Sequence, residues 1–156
     1  MTAAIAIGSN LGDRDAHVAF AVSRLSSLLT NVRVSTTCET DPVGVSDRQP
    51  LFLNAAVVGD TALSASELLE ALQAIEAARG RERPFPGAAR TLDLDLVLLG
   101  DQIVDAPGLT VPHPRFRERR FVLEPLAEIA GDLRDPVTGL TIGELLKQHV
   151  AKARHV

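Results

Sequence analysis

Residues 90–100 read Arg-Thr-Leu-Asp-Leu-Asp-Leu-Val-Leu-Leu-Gly, an apolar strand with two carboxylates written into it. Side chains along a strand alternate faces, so Leu92, Leu94, Leu96 and Leu98 are expected on one face and Asp93 and Asp95 side by side on the other. At about 3.3 Å of rise per residue, the two aspartates attach roughly 6.6 Å apart. Carboxylates that close repel unless a cation is shared between them. The span suits a pair of hard metal ions, which in two-metal sites lie about 3.5–4 Å apart. Asp is a poor strand former, so its double use asks for a reason. An exposed edge strand kept soluble by charge is the plain alternative. The unbroken run Leu96–Leu99 fits a more central strand and favours chemistry. Arg90, just upstream, adds a planar, permanently charged fork suited to phosphate.

The rest of the chain supplies a frame for that strand. Ala3–Ile7 is a short apolar strand, and Gly8-Ser9-Asn10-Leu11-Gly12-Asp13 reads as a tight structural turn into a helix carrying Val18, Val22, Leu25 and Leu29 at helical spacing. Val32 and Val34 begin a second strand running to about Thr37, and Cys38 at its end reads as filler. A loop with Asp41-Pro42-Val43-Gly44 leads to a third strand, Phe52–Val58. Ser64-Ala65-Ser66-Glu67 is a capping box opening a helix with Leu68, Leu69, Leu72 and Ile75, which Gly80 ends. The aspartate strand comes fourth. The order β-α-β-β-α-β is the ferredoxin-like plan, an α+β sheet with helices packed on one face. Beyond it lies an extension, irregular around Pro112, Pro114 and Pro125, then a helix capped by Thr141 and Glu144 with Leu145 and Leu146. No repeat or linker divides the 156 residues, so a single domain over 1–156 is expected.

Composition narrows the partners. A net charge of −4 argues against a protein that coats nucleic acid. One cysteine allows no internal disulfide and fits a reducing compartment. No secretory leader or membrane-length apolar run is evident, so a cytoplasmic protein without membrane contact is expected. No exposed apolar stripe suggests self-association, and a monomer is expected. The positive charge is bunched: Arg79, Arg81, Arg83 and Arg90 in one segment, Arg115, Arg117, Arg119 and Arg120 in another.

Asn54 lies within the third strand on the same face as Phe52. A buried amide needs partners, either a loop or a flat heterocycle that it reads while Phe52 stacks, with Phe121 as an opposite wall. His113 is fixed between Pro112 and Pro114 and followed by Arg115, Arg117 and Arg119, as in a clamp for an anionic ligand. The Gly8–Gly12 turn matches neither common phosphate-loop pattern. No His/Cys cluster has zinc spacing, and with oxygen ligands the expected metal is Mg²⁺.

Gly8-Ser9-Asn10-Leu11-Gly12, Phe52-Leu53-Asn54-Ala55-Ala56, Arg90-Thr91-Leu92-Asp93-Leu94-Asp95 and Leu109-Thr110-Val111-Pro112-His113-Pro114 together resemble the 6-hydroxymethyl-7,8-dihydropterin pyrophosphokinases of folate biosynthesis, in the same order and over nearly the whole chain. The resemblance implies an enzyme transferring pyrophosphate from ATP to a pterin alcohol and releasing AMP. It implies that Asp93 and Asp95 hold two Mg²⁺ ions bridging the ATP phosphates. Thr40, Val43, Phe52, Asn54 and Phe121 would form the pterin pocket. Gln73, Glu76, Arg83, Leu96, Thr110, His113 and Arg119 would hold ATP, and Arg81 and Arg90 would act in the catalytic step or in closing the site.

The chain departs from the family chiefly at Gly87-Ala88-Ala89, where many relatives carry Trp-Gly-Pro, leaving Phe85 as the bulky residue of that loop. Gly108 and Pro114 stand where some relatives have an arginine and a tyrosine, and Asp41 replaces a frequent proline. Three other readings compete. An RNA-binding module would need more aromatic platform than Phe52 and less acidity. A small-molecule sensor has no need of paired metal carboxylates. A nucleotidyl transferase would keep the aspartates but release pyrophosphate instead of AMP.

Overall fold

The computed structural model describes residues 1–40, 51–79 and 91–154. β1 (Thr2–Ser9) leads into α1 (Arg14–Leu28), then β2 (Thr30–Val34), β3 (Cys38–Thr40), β4 (Phe52–Asp60), α2 (Ala65–Ala78) and β5 (Asp93–Leu99). A hairpin of β6 (Val104–Ala106) and β7 (Leu109–Val111), a 3-10 turn at Phe116–Glu118, α3 (Arg120–Ala130) and α4 (Ile142–Arg154) follow. The main sheet is antiparallel in the order β2-β4-β1-β5, with β3 pairing β4 after β2.

Helix starts follow local chemistry. The Asp13 side chain accepts from Ala16 N and caps α1. Ser64 and Glu67 satisfy each other's backbone N–H groups at 3.1 and 3.0 Å, and Thr141 and Glu144 do the same for α4 at 3.1 Å each. The second helix ends at Ala78 with Arg79 as its C-cap, and Gly80 lies outside the described residues.

Both faces of the sheet are covered. Ala3, Ile5, Ile7, Leu53, Ala55 and Val57 pack with Val18, Leu25, Leu68 and Leu72 of α1 and α2. Ala4, Ala6, Ala56 and Val58 pack with Val122, Leu123, Leu126 and Leu145 of α3 and α4. The expected one-sided packing therefore holds for α1 and α2 only, and the extension closes the second face.

The aspartate strand is the edge of the main sheet and not a more central strand, its outer Leu94 N–H taken by Glu76, and four further expectations are corrected by tertiary detail. Leu98 does not share a face with Leu92, Leu94 and Leu96: Ile5 pairs with Leu96 and Ala4 with Leu98, so Val97 is an extra residue and the alternation flips behind it. Leu99 joins the α1–α2 core, while Val97 and Leu98 join the other. The second strand stops at Val34, where Ser35 turns its hydroxyl to the Ala56 N–H at 2.8 Å, and pairing resumes at Cys38 as a separate short strand. Pro125 sits inside α3 instead of an irregular segment: burial of Val122, Leu123, Leu126 and Ala130 outweighs its missing N–H. Gly8 and Ser9 belong to β1, leaving a shorter turn.

Candidate active site

The register sets the site. Asp93 on β5 lies opposite Gly8 on β1, Gly8 opposite Asn54 on β4, and Asn54 opposite Cys38 on β3. At about 4.8 Å between strands, the aspartate and asparagine backbones stand roughly 10 Å apart with a glycine between them. Asp95 follows in the next row of this face, beside Ala6, and both aspartates are half-buried. The face is apolar under α3 and changes character at this end of the sheet, where Gly8 contributes no side chain. A Cβ placed on Gly8 would stand 3.6 Å from Asn54 Oδ1 and 3.6 Å from Phe52 Cδ1, so these two groups border the space above the glycine.

Asn54 is buried, and its amide nitrogen donates to Thr40 Oγ1 at 2.6 Å and more weakly to the Cys38 carbonyl at 3.5 Å. The amide's protein partner is the neighbouring strand and not the expected loop, and it turns the Oδ1 edge toward Gly8. Thr40 pairs with Phe52 in register, so Thr40, Phe52 and Asn54 form one cluster. Phe121 lies in the first turn of α3, the helix that packs across β4, with the Arg119 guanidinium 5.7 Å from its ring centre. Ser9, fully buried, hydrogen-bonds through its hydroxyl to the Thr91 carbonyl and ties the end of β1 to the entry of the aspartate strand.

On the outer side of β5, a cleft of about 260 Å³ is lined by Leu94, Asp95, Leu96, Thr110, His113 and Pro114, among others. The bulge at Val97 has a use here, since its carbonyl accepts from His113 N at 3.0 Å and docks the Pro-His-Pro segment against the strand. His113 Nδ1 accepts from Arg115 N at 3.2 Å. Burial pushes the His113 pKa down, Arg119 and Arg115 push it the same way, and Asp93 opposes them. Neutral imidazole, arginine and carboxylate therefore act on one another across the site.

Among the residues expected to hold ATP, Glu76 is buried on α2 and its Oε2 accepts from Leu94 N at 2.9 Å. It thus helps to fasten the outer edge of β5. Gln73 is exposed on α2, Leu96 is buried at the cleft, and Thr110 is exposed on β7. Val43, Arg81, Arg83, Phe85 and Arg90 lie outside the described residues. The arginine clamp after His113 is narrower than expected. Arg117 turns away to the fully buried Asp135, with contacts of 2.6 and 3.0 Å. Gly8 and Ser9 were legible only as turn formers, and the glycine's place between Asn54 and Asp93 follows from the register alone.

The sequence profile of the 7,8-dihydro-6-hydroxymethylpterin-pyrophosphokinase family matches residues 4–131. The 2-amino-4-hydroxy-6-hydroxymethyldihydropteridine pyrophosphokinase of Pseudomonas aeruginosa is 44% identical over 144 residues, which span 91% of this chain and 88% of that protein. The enzyme of that name from Bacillus subtilis is 46% identical over 136 residues, 86% of this chain and 81% of its own length. Among solved structures, the wild-type HPPK-DHPS of Plasmodium falciparum superposes with a TM-score of 0.77 at 14% identity, covering 99% of this chain and 45% of that one. At that identity the superposition speaks for the fold, a mixed α/β architecture on an antiparallel sheet, and this chain spans less than half of the larger protein. On the match over residues 4–131 and the identities to two bacterial enzymes, the chain belongs to the 7,8-dihydro-6-hydroxymethylpterin-pyrophosphokinase family.

Proposed function

We propose that this chain transfers the pyrophosphoryl group of ATP to the hydroxymethyl oxygen of 6-hydroxymethyl-7,8-dihydropterin in folate biosynthesis. The observation that carries the reading is the row Asp93–Gly8–Asn54, which sets a carboxylate and an amide on either side of a side-chain-free gap. A flat pterin on Gly8 would meet the Phe52 ring and the Asn54 amide, with Thr40 fixing that amide and Val43 and Phe121 completing the pocket. ATP would take the cleft outside β5, against Leu96, Thr110, His113 and Arg119, with Gln73, Glu76 and Arg83 around it.

Asp93 and Asp95 fit Mg²⁺ by donor chemistry, being two hard oxygen ligands on one strand face. Among the described residues no group of three or more His, Cys, Asp or Glu side chains converges. An ion there would complete its shell with water and phosphate oxygens, as Mg²⁺ commonly does. Two such ions, when bound with ATP, supply neutralisation of the phosphate charge. In the reaction the pterin oxygen forms a bond to the β-phosphorus. The bond from that phosphorus to the α-bridging oxygen breaks, AMP leaves with the electron pair, and the hydroxyl proton is released. The protein's share is alignment and cationic surroundings, to which Arg81, Arg90 and Arg119 contribute.

Strand order β2-β4-β1-β5 with α1 and α2 on one face supports a ferredoxin-like core within one domain over 1–156. We also propose a cytoplasmic monomer that binds neither nucleic acid nor membrane. The large exposed apolar residues, such as Met1, Leu11, Ile103 and Val137, are scattered along the chain. Among the described residues no helix is long and apolar enough to cross a membrane. The test is a product assay with Mg-ATP and the reduced pterin. AMP released only in the presence of pterin supports the reading. Release of ADP or pyrophosphate, or no release from folded protein, overturns it.

A further inference from the structure

A second cluster lies away from the aspartates, where α1 meets the end of α2. His17 Nδ1 accepts a hydrogen bond from Arg79 Nε at 2.8 Å. The other side of the ring faces the β1–α1 turn, where the Leu11 carbonyl favours the protonated ring. Gly12, at φ +73°, brings that turn so close that a Cβ on it would stand 3.1 Å from His17 Nε2. With Nδ1 accepting from Arg79, the neutral ring carries its proton on Nε2, the nitrogen beside the turn. Arg79 is gripped a second way. Its guanidinium lies 4.9 Å from the Phe20 ring centre, and Arg24 sits at 5.1 Å from the same ring. Such cation–π contacts orient a guanidinium plane as well as attract it.

The cluster joins two stretches that matter to the site. The turn at 10–13 continues directly from Gly8 and Ser9. Arg79 is the last described residue before Gly80 and Arg81. We propose that His17 is a positioning residue, whose neutral imidazole ties the β1–α1 turn to Arg79 and so fixes the point from which the chain runs on to Arg81 and Arg90. A protonated imidazole has no lone pair for Arg79 and repels it, so the tie is lost on protonation. The charged groups facing the ring among the described residues are Arg79 from α2 and Asp13 at the start of α1. Burial and Arg79 pull the His17 pKa down, outweighing Asp13 and the Leu11 carbonyl, so the neutral form prevails at neutral pH.

The role rests on the proposed reaction, and its test separates the two. Pterin-dependent AMP release is followed from pH 5 to 8 in the wild type, His17→Gln and His17→Ala, with melting curves for each. Glutamine can accept from Arg79 and donate to the turn but does not titrate. The expected result is a kcat for His17→Ala lowered about tenfold with the pterin KM kept, the effect of losing one hydrogen bond to a charged group. Gln restores kcat at pH 8 and removes the part of the acid limb, below the ordinary imidazole value of 6.5, that the wild type owes to His17. The part owed to His113 stays in all three. An acid limb identical in wild type and His17→Gln, or a His17→Ala that lowers only the melting temperature, overturns the positioning role. A wild type that releases no AMP overturns the proposed function instead. The tie itself is read without turnover by NMR titration of His17, whose pKa is expected to rise in Arg79→Ala. An unchanged pKa overturns it.

Discussion

Replacing Gly8 by alanine adds one methyl at the centre of the Asp93–Gly8–Asn54 row. In the folded protein that methyl would stand 3.6 Å from Asn54 Oδ1 and 3.6 Å from Phe52 Cδ1, ordinary van der Waals distances. The fold should therefore accept it, and alanine in a strand regains about 0.5–1 kcal/mol of the backbone entropy that glycine forfeits. At about 2–4 °C per kcal/mol for a chain of this size, the melting temperature should hold or rise slightly. A flat ring seated on the glycine meets a different situation, since the methyl occupies the space the ring needs. Overpacking of this kind costs about 1–3 kcal/mol, or about 5- to 150-fold in pterin Kd. Gly59→Ala is the control, because a Cβ there would stand 2.9 Å from Leu29 Cβ and 3.0 Å from the Thr30 carbonyl. The same cost then falls on the fold, lowering the melting temperature by about 2–12 °C while pterin affinity is kept. Pterin fluorescence reads the binding directly, as the chain has no Trp or Tyr. Gly8→Ala binding pterin within twofold of the wild type would refute the placement of the ring.

The Arg117–Asp135 pair predicts two further outcomes. Arg117→Ala strands a fully buried carboxylate, which should cost about 3–5 kcal/mol and lower the melting temperature by about 6–20 °C. Burial alone would push the Asp135 pKa up, but Arg117, the Thr138 hydroxyl and the Val137 N–H outweigh it and hold the carboxyl below its ordinary 3.8. A depressed folded-state pKa contributes stability that is present above the unfolded value and lost as pH falls through the folded one. The wild type should melt well above Asp135→Asn at pH 7, and the gap should close in acid below 3.8. A gap that stays constant across that range contradicts the assignment.

What could be read in advance was local. The two capping boxes and the alternation that sets Asp93 and Asp95 on one face each depend on residues within a few positions. The features that escaped depend on distant partners. The flip at Val97 is a register event between β1 and β5, and nothing in Leu-Val-Leu-Leu announces it. The break at Ser35 needs the Ala56 N–H, and Arg117 needs Asp135, 18 residues on. Pro125 masked α3 because the burial that overrides it comes from strands far away in sequence. Gly8 carried the composition of a turn, and only β4 and β5 on either side give it another meaning.

The central claim is that the carboxylates of β5 carry a metal-dependent pyrophosphoryl transfer. It is tested most directly by following pterin-dependent AMP release against Mg²⁺ concentration in the wild type, Asp93→Asn and Asp95→Asn. The account predicts turnover in the wild type that rises from zero with Mg²⁺. Both variants should fold and bind pterin yet lose turnover at every Mg²⁺ concentration. Near-normal AMP release from either variant, or wild-type release that persists in excess chelator, would contradict it.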